Sequence, residues 1–349
     1  MDLLKAIGAV AIAFTCSGCQ ISYYLHSAYN QSKLVQSREP IDKALRSPKL
    51  NDEQKRKLRL VQEVKHFAEE KLRLLPSRNY TSFVQLDEPY VTYVVQAAHI
   101  YELKPYLWRF PFVGQVPYKG YFRRKLADEE AARFDRDKYD TYVRGVTAYS
   151  TLGWFQDSVL SSMLRYEDHD LVELIIHETT HTTLFVKGGV DFNERLATFL
   201  GREGMKLFYL EKEGQDSPNL KRAEDETHDQ NIFSAFITEE FKELEKWYES
   251  RRGQVTPEAK AARLKELQNE FMTDVRPKLK TGNYDEFGKR QLNNAYLLAY
   301  RNYEDSLEDF VKLHKRLGGS FQKTLEWLKT LKDSEKPDQV LKEFVAKGS

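Results

Sequence analysis

The sequence has few cysteines, almost no net charge and no long apolar run. Only Cys16 and Cys19 are present among 349 residues, so a disulfide framework is excluded. The 54 Lys and Arg residues balance 53 Asp and Glu residues, whereas proteins that hold a nucleic-acid backbone usually carry a clustered positive excess. We therefore expect no nucleic-acid partner. No run of about 18 apolar residues occurs, so no segment is expected to form a stable membrane span.

The composition itself is that of a folded protein. Apolar residues make up 41% of the chain, which contains 20 Tyr and 20 Phe. These proportions are not those of a disordered polymer. The length allows one large domain or two ordinary ones, and either can bury a sizeable core.

The apolar run over residues 6–14 is too short to cross a bilayer. As a helix that rises about 1.5 Å per residue, it reaches roughly 14 Å, half of the hydrocarbon thickness. Lys5 precedes this run and small residues follow it. The pattern predicts an export signal.

The end of this segment resembles the cleavage box of bacterial lipoproteins, in which the cysteine is lipidated and becomes the first mature residue. Ser17 and Gly18 stand directly before Cys19. The resemblance implies that residues 1–18 are removed and that Cys19 carries a lipid anchor to the membrane. Gln20 is not the aspartate associated with inner-membrane retention, so the periplasmic face of the outer membrane is favoured. The alternative is a plain secretory signal with incidental cysteines.

Apolar periodicity and turn residues predict an α+β fold. Residues 19–50 are interpreted as a tether and a first helix, 51–210 as an α+β catalytic region, and 211–349 as a helical region that completes or covers the site. A capping box at Asn51 and Gln54 opens a helix that closes at Pro76. Strand or extended segments are predicted over 90–98 and 141–149, helices over 123–134, 233–248, 257–275, 291–317 and 321–331, and a polar loop over 211–230.

The segment that carries chemistry is His177-Glu178-x-x-His181, in a run whose periodicity predicts a helix. Residues four apart on a helix project from one face, so both imidazoles can bind a single zinc ion and Glu178 lies beside its water. Apolar residues surround most of this helix, which indicates burial. Two histidines and a glutamate in such surroundings indicate a partner or a function, because unpaired polar groups in a core cost several kcal/mol.

Glu194 is the predicted third zinc ligand. Gly188 and Gly189 lie between it and His181 and can end the first helix, so that a second helix returns beside it. This is the layout of zincins whose third ligand is a glutamate on the following helix. Two histidines and one glutamate leave one coordination position open, which is typical of a catalytic zinc site. Glu178 would then take a proton from the attacking water and deliver it to the leaving amine.

Several runs of the sequence resemble a family of bacterial lipoproteins called putative aminopeptidases. These runs are Gly18-Cys19, residues 113–122, residues 145–155, the His177-Glu178-x-x-His181 motif, Phe192-Asn193-Glu194-x-x-Ala197-Thr198, and Asn293-Asn294-Ala295 with Tyr303 and Phe310 beyond. The resemblance implies a zincin-like core, with an antiparallel edge strand before the metal helix, and a zinc-dependent aminopeptidase that acts on peptide or protein substrates.

The sequence leaves three points about the site open. Tyr149 and Tyr303 are candidate donors to the oxyanion, although either could be a packed aromatic. The extended stretch over 146–152 could pair with the substrate backbone. No segment shows where a substrate α-amine would bind, so a zinc endopeptidase acting on envelope proteins is an alternative. An inactive zinc-binding scaffold is a third interpretation, which Glu178 disfavours because it is not a zinc ligand.

Overall fold

The computed structural model describes residues 22–111, 114–148, 156–301 and 307–347. These residues form a mixed α+β structure that is mainly helical and contains small sheets. The predicted α+β class is therefore confirmed. Among the described residues, no helix combines the length and the apolar character that a membrane crossing requires.

The described strands form three small sheets. The strands are β1 (Glu39–Pro40), β2 (Ser82–Val84), β3 (Thr92–His99), β4 (Trp108–Phe110), β5 (Gly114–Val116), β6 (Lys119–Tyr121), β7 (Tyr139–Val146) and β8 (Val159–Leu160). One sheet has the order β1-β2-β8, with β2 and β8 parallel. In the antiparallel sheet β6-β3-β7, strand β7 lies at the edge, ahead of the helix that carries the two histidines. Strands β4 and β5 form a hairpin-like pair.

The helices make up most of the remaining structure. They are α1 (22–36), α2 (Ile41–Ala44), α3 (Asp52–Glu70), α4 (Arg124–Ala132), α5 (Asp168–Thr183), α6 (Val190–Glu213), α7 (Pro218–Ser250), α8 (Pro257–Glu270), α9 (Asp285–Lys289), α10 (Asn294–Leu298), α11 (Glu308–Arg316), α12 (Phe321–Lys329) and α13 (Pro337–Ala346).

The capping box predicted at the start of α3 is present. The Asn51 side chain accepts a hydrogen bond from the Gln54 backbone N–H at 2.8 Å, and the Gln54 side chain accepts one from the Asn51 N–H at 3.0 Å. The predicted end at Pro76 is wrong, because α3 ends at Glu70. Arg73 adopts a φ of 60°, which lies outside the right-handed helical region and turns the chain away.

The predicted loop over 211–230 is also wrong, because almost all of this segment is helical. Helix α6 continues to Glu213, and Gly214 with a φ of 82° ends it. Ser217 then caps α7 by accepting a hydrogen bond from the Leu220 N–H, and Pro218 occupies the first turn, where its missing N–H costs nothing. The polar residues that favoured a loop in this segment lie on the solvated side of a long helix.

The single helix predicted over 291–317 is interrupted. Its described parts are the short α10 and the separate α11. Asn293 begins α10 as a cap, with its side chain accepting a hydrogen bond from the Tyr296 N–H at 2.8 Å. Asn294 is fully buried and donates to the carbonyls of His99 and Ile100 at 2.9 and 3.1 Å. The asparagine pair therefore holds the C-terminal region against the turn after β3.

Helices α5 and α6 pack closely because small residues line their contact. A Cβ at Gly204 would lie 2.8 Å from Leu72 Cδ1 and 2.9 Å from Ile176 Cγ2, so only glycine fits there without a shift. At Gly201 a Cβ would lie 3.1 Å from the Glu173 carbonyl oxygen and 3.3 Å from His177 Cβ. The close contacts at these two glycines therefore hold together the two helices that carry the predicted zinc ligands.

Candidate metal centre

His177 and His181 lie one turn apart on α5, as their spacing predicts. Their Nε2 atoms are 3.1 Å from each other, and both side chains are only 17% exposed. The helix buries its other side through Leu171, Val172, Ile175 and Ile176. Anchoring of this apolar face fixes the direction in which both imidazoles point.

Glu194 reaches the two imidazoles from α6. Its Oε2 lies 3.6 Å from His177 Nε2, and its Oε1 lies 3.5 Å from His181 Nε2. The turn between the helices includes Gly188, whose φ of 79° suits glycine. Asn193 fixes this turn further, since its side chain bonds both the N–H and the carbonyl of Val186 at 2.8 Å. The structure therefore brings the three predicted ligands together.

The donor set and its spacing fit a divalent metal ion. For ligand bonds of about 2.0–2.2 Å, tetrahedral geometry places neighbouring donor atoms roughly 3.3–3.6 Å apart. The two imidazole nitrogens lie 3.1 Å apart, and each has one oxygen of the Glu194 carboxylate nearby, at 3.6 Å from His177 and 3.5 Å from His181. Two imidazole nitrogens and one carboxylate oxygen are also the donor types of catalytic zinc sites.

The protonation states favoured by the surroundings suit metal binding. Burial, with the adjacent His177 as a second cause, lowers the pKa of His181 and favours the neutral imidazole. The close approach of the His177 imidazole lowers the pKa of Glu194 and favours its carboxylate. A metal ligand must present an unprotonated nitrogen or an ionised carboxylate. Both residues therefore favour the form that can bind a cation.

Glu173, one turn before His177, contacts α6. Arg202 Nε donates to Glu173 Oε1 at 3.3 Å, and Arg202 Nη2 donates to the Gln230 side chain on α7 at 3.0 Å. Burial raises the pKa of Glu173, and Arg202 opposes this effect. These contacts give Glu173 a structural part in joining the helices.

Glu178 lines a small cavity, and Tyr80 and Asp157 are among the other polar residues of its lining, none of which was singled out from the sequence. Tyr80, before β2, and Asp157, before β8, line it together with Glu178. The Tyr80 N–H donates to the Asp157 carbonyl at 2.7 Å, next to the parallel pairing of β2 and β8. No local spacing links these residues, so the sequence alone carried no signal for their proximity.

Tyr80 also has an unusual backbone conformation. Its φ is 58°, although it is a bulky residue only 5% exposed. Such a conformation costs about 1–3 kcal/mol and is found where the surrounding structure holds it. Burial raises the pKa of the Tyr80 hydroxyl well above its usual value, and the Glu178 and Asp157 carboxylates raise it further. The hydroxyl therefore stays protonated at neutral pH.

A second group of possible metal donors joins α5 to α7. His169 Nε2 lies 3.0 Å from Glu226 Oε2 and 3.5 Å from Asp170 Oδ1. Arg222 already donates to the other oxygen of Glu226 at 2.8 Å. We interpret this group as an ion-pair network that fixes the start of α5, because its carboxylate charge is compensated by protein side chains.

Three predicted functional residues lie outside the described residues. They are the oxyanion candidates Tyr149 and Tyr303 and the lipidation candidate Cys19. Their roles stay predictions.

Comparison with known proteins identifies a family. A family model described as putative aminopeptidase matches residues 22–341. The chain belongs to this family. The match covers both helices of the candidate metal centre and the C-terminal asparagine pair. The family description suggests a peptidase. No curated protein and no solved structure matches the chain.

Proposed function

We propose that this member of the aminopeptidase family is a zinc-dependent peptidase with a zincin-like catalytic core. His177, His181 and Glu194 would hold one zinc ion, and Glu178 would act as the general base. The observation that carries the proposal is the convergence of two imidazole nitrogens from α5 and the Glu194 carboxylate from α6 at 3.1–3.6 Å. Glu178, next to His177 on α5, also lines a cavity that could admit part of a substrate.

Zinc is the proposed ion because of the ligand types. Imidazole nitrogen suits zinc, whereas magnesium and calcium prefer sites made mainly of oxygen. Held by His177, His181 and Glu194, a zinc ion would supply Lewis-acid chemistry and would lower the pKa of a bound water to about 7.

Glu178 performs the proton transfers in the proposed reaction. Its carboxylate accepts a proton as the water oxygen attacks the carbonyl carbon of the peptide bond. The same carboxyl group then donates that proton to the nitrogen of the leaving amine as the C–N bond breaks. One water is consumed, and a carboxylic acid and an amine are released. A donor to the oxyanion would assist, and Tyr149 and Tyr303 are the proposed donors.

The edge of the antiparallel sheet is the proposed support for the substrate backbone. Strand β7 has β3 on one side within the described sheet and leads into the extended stretch predicted over 146–152. An extended peptide can add to such an edge through main-chain hydrogen bonds. The first part of β7 is covered, since Asn293 donates to the Thr141 carbonyl at 3.2 Å. Pairing would therefore use the end of the strand nearer to α5.

The zinc content and the peptidase activity of the purified full chain test this proposal. We expect about one zinc ion per chain and cleavage of peptides from a diverse mixture. A chelator should remove both the metal and the activity, and added zinc should restore both. Metal-free active protein would contradict the role of zinc. Protein that holds zinc but cuts no peptide would favour the inactive scaffold.

We also propose that the protein is a lipoprotein of the outer membrane, facing the periplasm and anchored through Cys19. In the bacterial host, Cys19→Ala should move the protein from the detergent phase to the aqueous phase after phase separation. Buried acyl chains contribute about 0.8 kcal/mol per methylene to membrane binding, and the variant lacks them. Cys16→Ala is the matched control and should remain in the detergent phase. Unchanged partitioning of Cys19→Ala would contradict the anchor.

A further inference from the structure

Helix α1 exposes large apolar side chains in its first two turns. Tyr24, Leu25 and Tyr29 are 38%, 67% and 65% exposed, and no other large apolar side chain of the described residues is as exposed as those of Leu25 and Tyr29. Residues four apart lie on one side of a helix, so Leu25 and Tyr29 share a side. Tyr24 and the exposed Ala28 are next to them around the helix. We call these four residues the α1 face.

The α1 face carries no charge. Residues 22–32 contain no Lys, Arg, Asp or Glu, although these types make up 31% of the chain. A surface helix of a globular protein normally places charged and polar residues on the side that faces water. The composition of the α1 face therefore indicates contact with a partly apolar partner.

The opposite side of α1 is fixed to the rest of the protein. The ring centroid of Tyr23 lies 5.4 Å from that of Tyr121 and 6.1 Å from that of Phe110. The Lys119 ammonium group lies 4.8 Å from the Tyr23 centroid, within the range of a cation–π contact. Further along α1, Leu34 packs against the hydrophobic core. These contacts hold α1 in one orientation, so the α1 face points away from the protein.

The place of α1 in the chain favours a membrane as the partner. Only three Cα–Cα steps separate Cys19 from Ser22, the first residue of α1. At 3.8 Å per step, the chain can place these two residues at most about 11 Å apart. A lipid anchor at Cys19 would therefore hold the first turn of α1 beside the headgroups of the bilayer. Tyrosine suits that position, because its ring is apolar and its hydroxyl is polar.

We propose that the α1 face lies on the surface of the lipid bilayer, an inference that rests on the lipid anchor proposed at Cys19. The tyrosine hydroxyls contact the headgroups, and Leu25 reaches the edge of the acyl chains. Stable attachment to a membrane usually takes two signals, and here the anchor is the first and the α1 face the second. The anchor makes the second contact intramolecular and so raises its effective concentration. Without the anchor the small α1 face binds weakly, and Cys19→Ala is still expected in the aqueous phase.

Contact of α1 with the bilayer also orients the proposed metal centre. Gln31 and Leu34, on the same helix, line the cavity beside Glu178. Gln31 lies about 9 Å further along the helix axis than Leu25, since a helix rises about 1.5 Å per residue. A bilayer at the start of α1 therefore holds Glu178 close to the membrane and in a fixed orientation. This arrangement favours peptide substrates at the membrane surface over those free in solution.

Fluorescence from single-cysteine variants tests the contact. Once residues 1–18 are removed and Cys19 is acylated, the chain has no free cysteine, so Leu25→Cys provides one site for an environment-sensitive nitrobenzoxadiazole probe. The labelled lipoprotein is reconstituted into vesicles of phosphatidylethanolamine and phosphatidylglycerol. We expect a blue shift of the probe emission and quenching by lipids with brominated acyl chains. Val311→Cys is the matched control, since Val311 is 53% exposed on α11 and lies next to Lys312. Its probe should keep the emission seen in water and escape quenching.

Substitutions in the α1 face show whether its apolar side chains cause the contact. With the probe at Tyr29→Cys, replacing Tyr24 and Leu25 by glutamine should reduce the quenching by brominated lipids. Leu25→Phe should keep the quenching, because the side chain stays apolar. Leu207→Gln, at an exposed leucine of α6, is the control and should leave the quenching unchanged. The melting temperature of each variant shows that it is folded.

Two results would overturn the inference. One is emission at Leu25→Cys that resembles that in water and is not quenched, although the protein is anchored. The other is a blue shift that brominated lipids do not quench and that grows with the protein density in the vesicles, because the α1 face would then contact a second copy of the chain.

Failure of the anchor gives a different result. Wild type would then enter the aqueous phase, and its Cys19 thiol would react with a maleimide. The α1 face is in that case measured with Leu25→Cys in a chain that also carries Cys16→Ala and Cys19→Ala, mixed with an excess of the same vesicles. Quenching by brominated lipids would support the contact of α1 with the bilayer, and its absence would overturn it.

Discussion

Replacing Glu178 with glutamine should slow peptide hydrolysis by roughly two to four orders of magnitude, the usual contribution of general acid–base catalysis. The amide has nearly the same shape as the carboxylate, but it cannot accept and return a proton at neutral pH. Because Glu178 is not a proposed metal ligand, the variant should retain about one zinc ion per chain. The measurement is kcat/KM for peptide hydrolysis, together with the metal content of the same sample.

The control for this variant is another glutamate-to-glutamine exchange. Glu211 lies on α6 and forms a surface ion pair with Lys71 at 3.0 Å, with both side chains more than half exposed. Such pairs contribute about 0–1 kcal/mol to stability, so Glu211→Gln should have wild-type activity. Wild-type activity in Glu178→Gln would remove Glu178 from the mechanism. Loss of zinc in that variant would show that its carboxylate supports the metal site as well.

The parts of the site that depend on local spacing could be predicted from the sequence. The four-residue step between His177 and His181 fixes their common face on any α-helix. Glu194 required one further step, because α5 ends at Thr183 and the chain must turn before the next helix returns beside it. The structure places these three side chains together. Their contacts span two consecutive helices, so little long-range information was needed.

The cavity residues could not be predicted, because a long-range pairing brings them together. Phe83 pairs with Val159 and Val84 with Leu160 in the parallel contact of β2 with β8. That register sets Tyr80 beside Asp157 just before the two strands. Both strands are very short and carry no clear alternation, so no sequence period indicates which segments pair. Tyr80 also has a positive φ, and its residue type does not indicate such a conformation in the sequence.

The helical region over 211–349 shows a second reason why sequence patterns can mispredict secondary structure. The start of α7 is rich in charged residues, and this composition predicts a loop although the segment is helical. A long helix can expose most of its surface and be stabilised by contacts along a narrow side, here through Phe233, Ile237 and Leu244. Conversely, apolar spacing over 291–317 predicted one helix where the buried polar contacts of Asn294 impose a separate short one.

His177→Ala should abolish stable zinc binding and, with it, hydrolysis. The variant leaves two proposed ligands, His181 and Glu194, whose closest donor atoms are 3.5 Å apart. Loss of even an outer partner of a ligand can cost about 10–100-fold in metal affinity, so loss of a ligand should cost more. After dialysis against metal-free buffer, the variant should hold far less than one zinc ion per chain.

Thermal stability gives a second measurement of the same interaction, one that needs no substrate. An ion that binds only the folded state stabilises it by about 2.7 kcal/mol when its free concentration is a hundred times Kd. For a chain of this size, that corresponds to a rise of a few degrees in Tm. Adding zinc to metal-free wild type should therefore raise its Tm, and the same addition should leave the Tm of His177→Ala unchanged.

A histidine far from the site controls for nonspecific metal binding. His66 is exposed on α3, so His66→Ala should keep both the zinc content and the zinc-dependent rise in Tm. If His177→Ala bound zinc as tightly as wild type, the proposed ligand set would be wrong. If wild type itself showed neither zinc nor a response to added zinc, the close approach of His177, His181 and Glu194 would need another explanation. Two neutral imidazoles with Nε2 atoms 3.1 Å apart cannot hydrogen bond to each other unless one carries its proton there. Both nitrogens would instead face a shared cation in the proposed metal site, and the metal content of His177→Ala and His66→Ala decides between these two explanations.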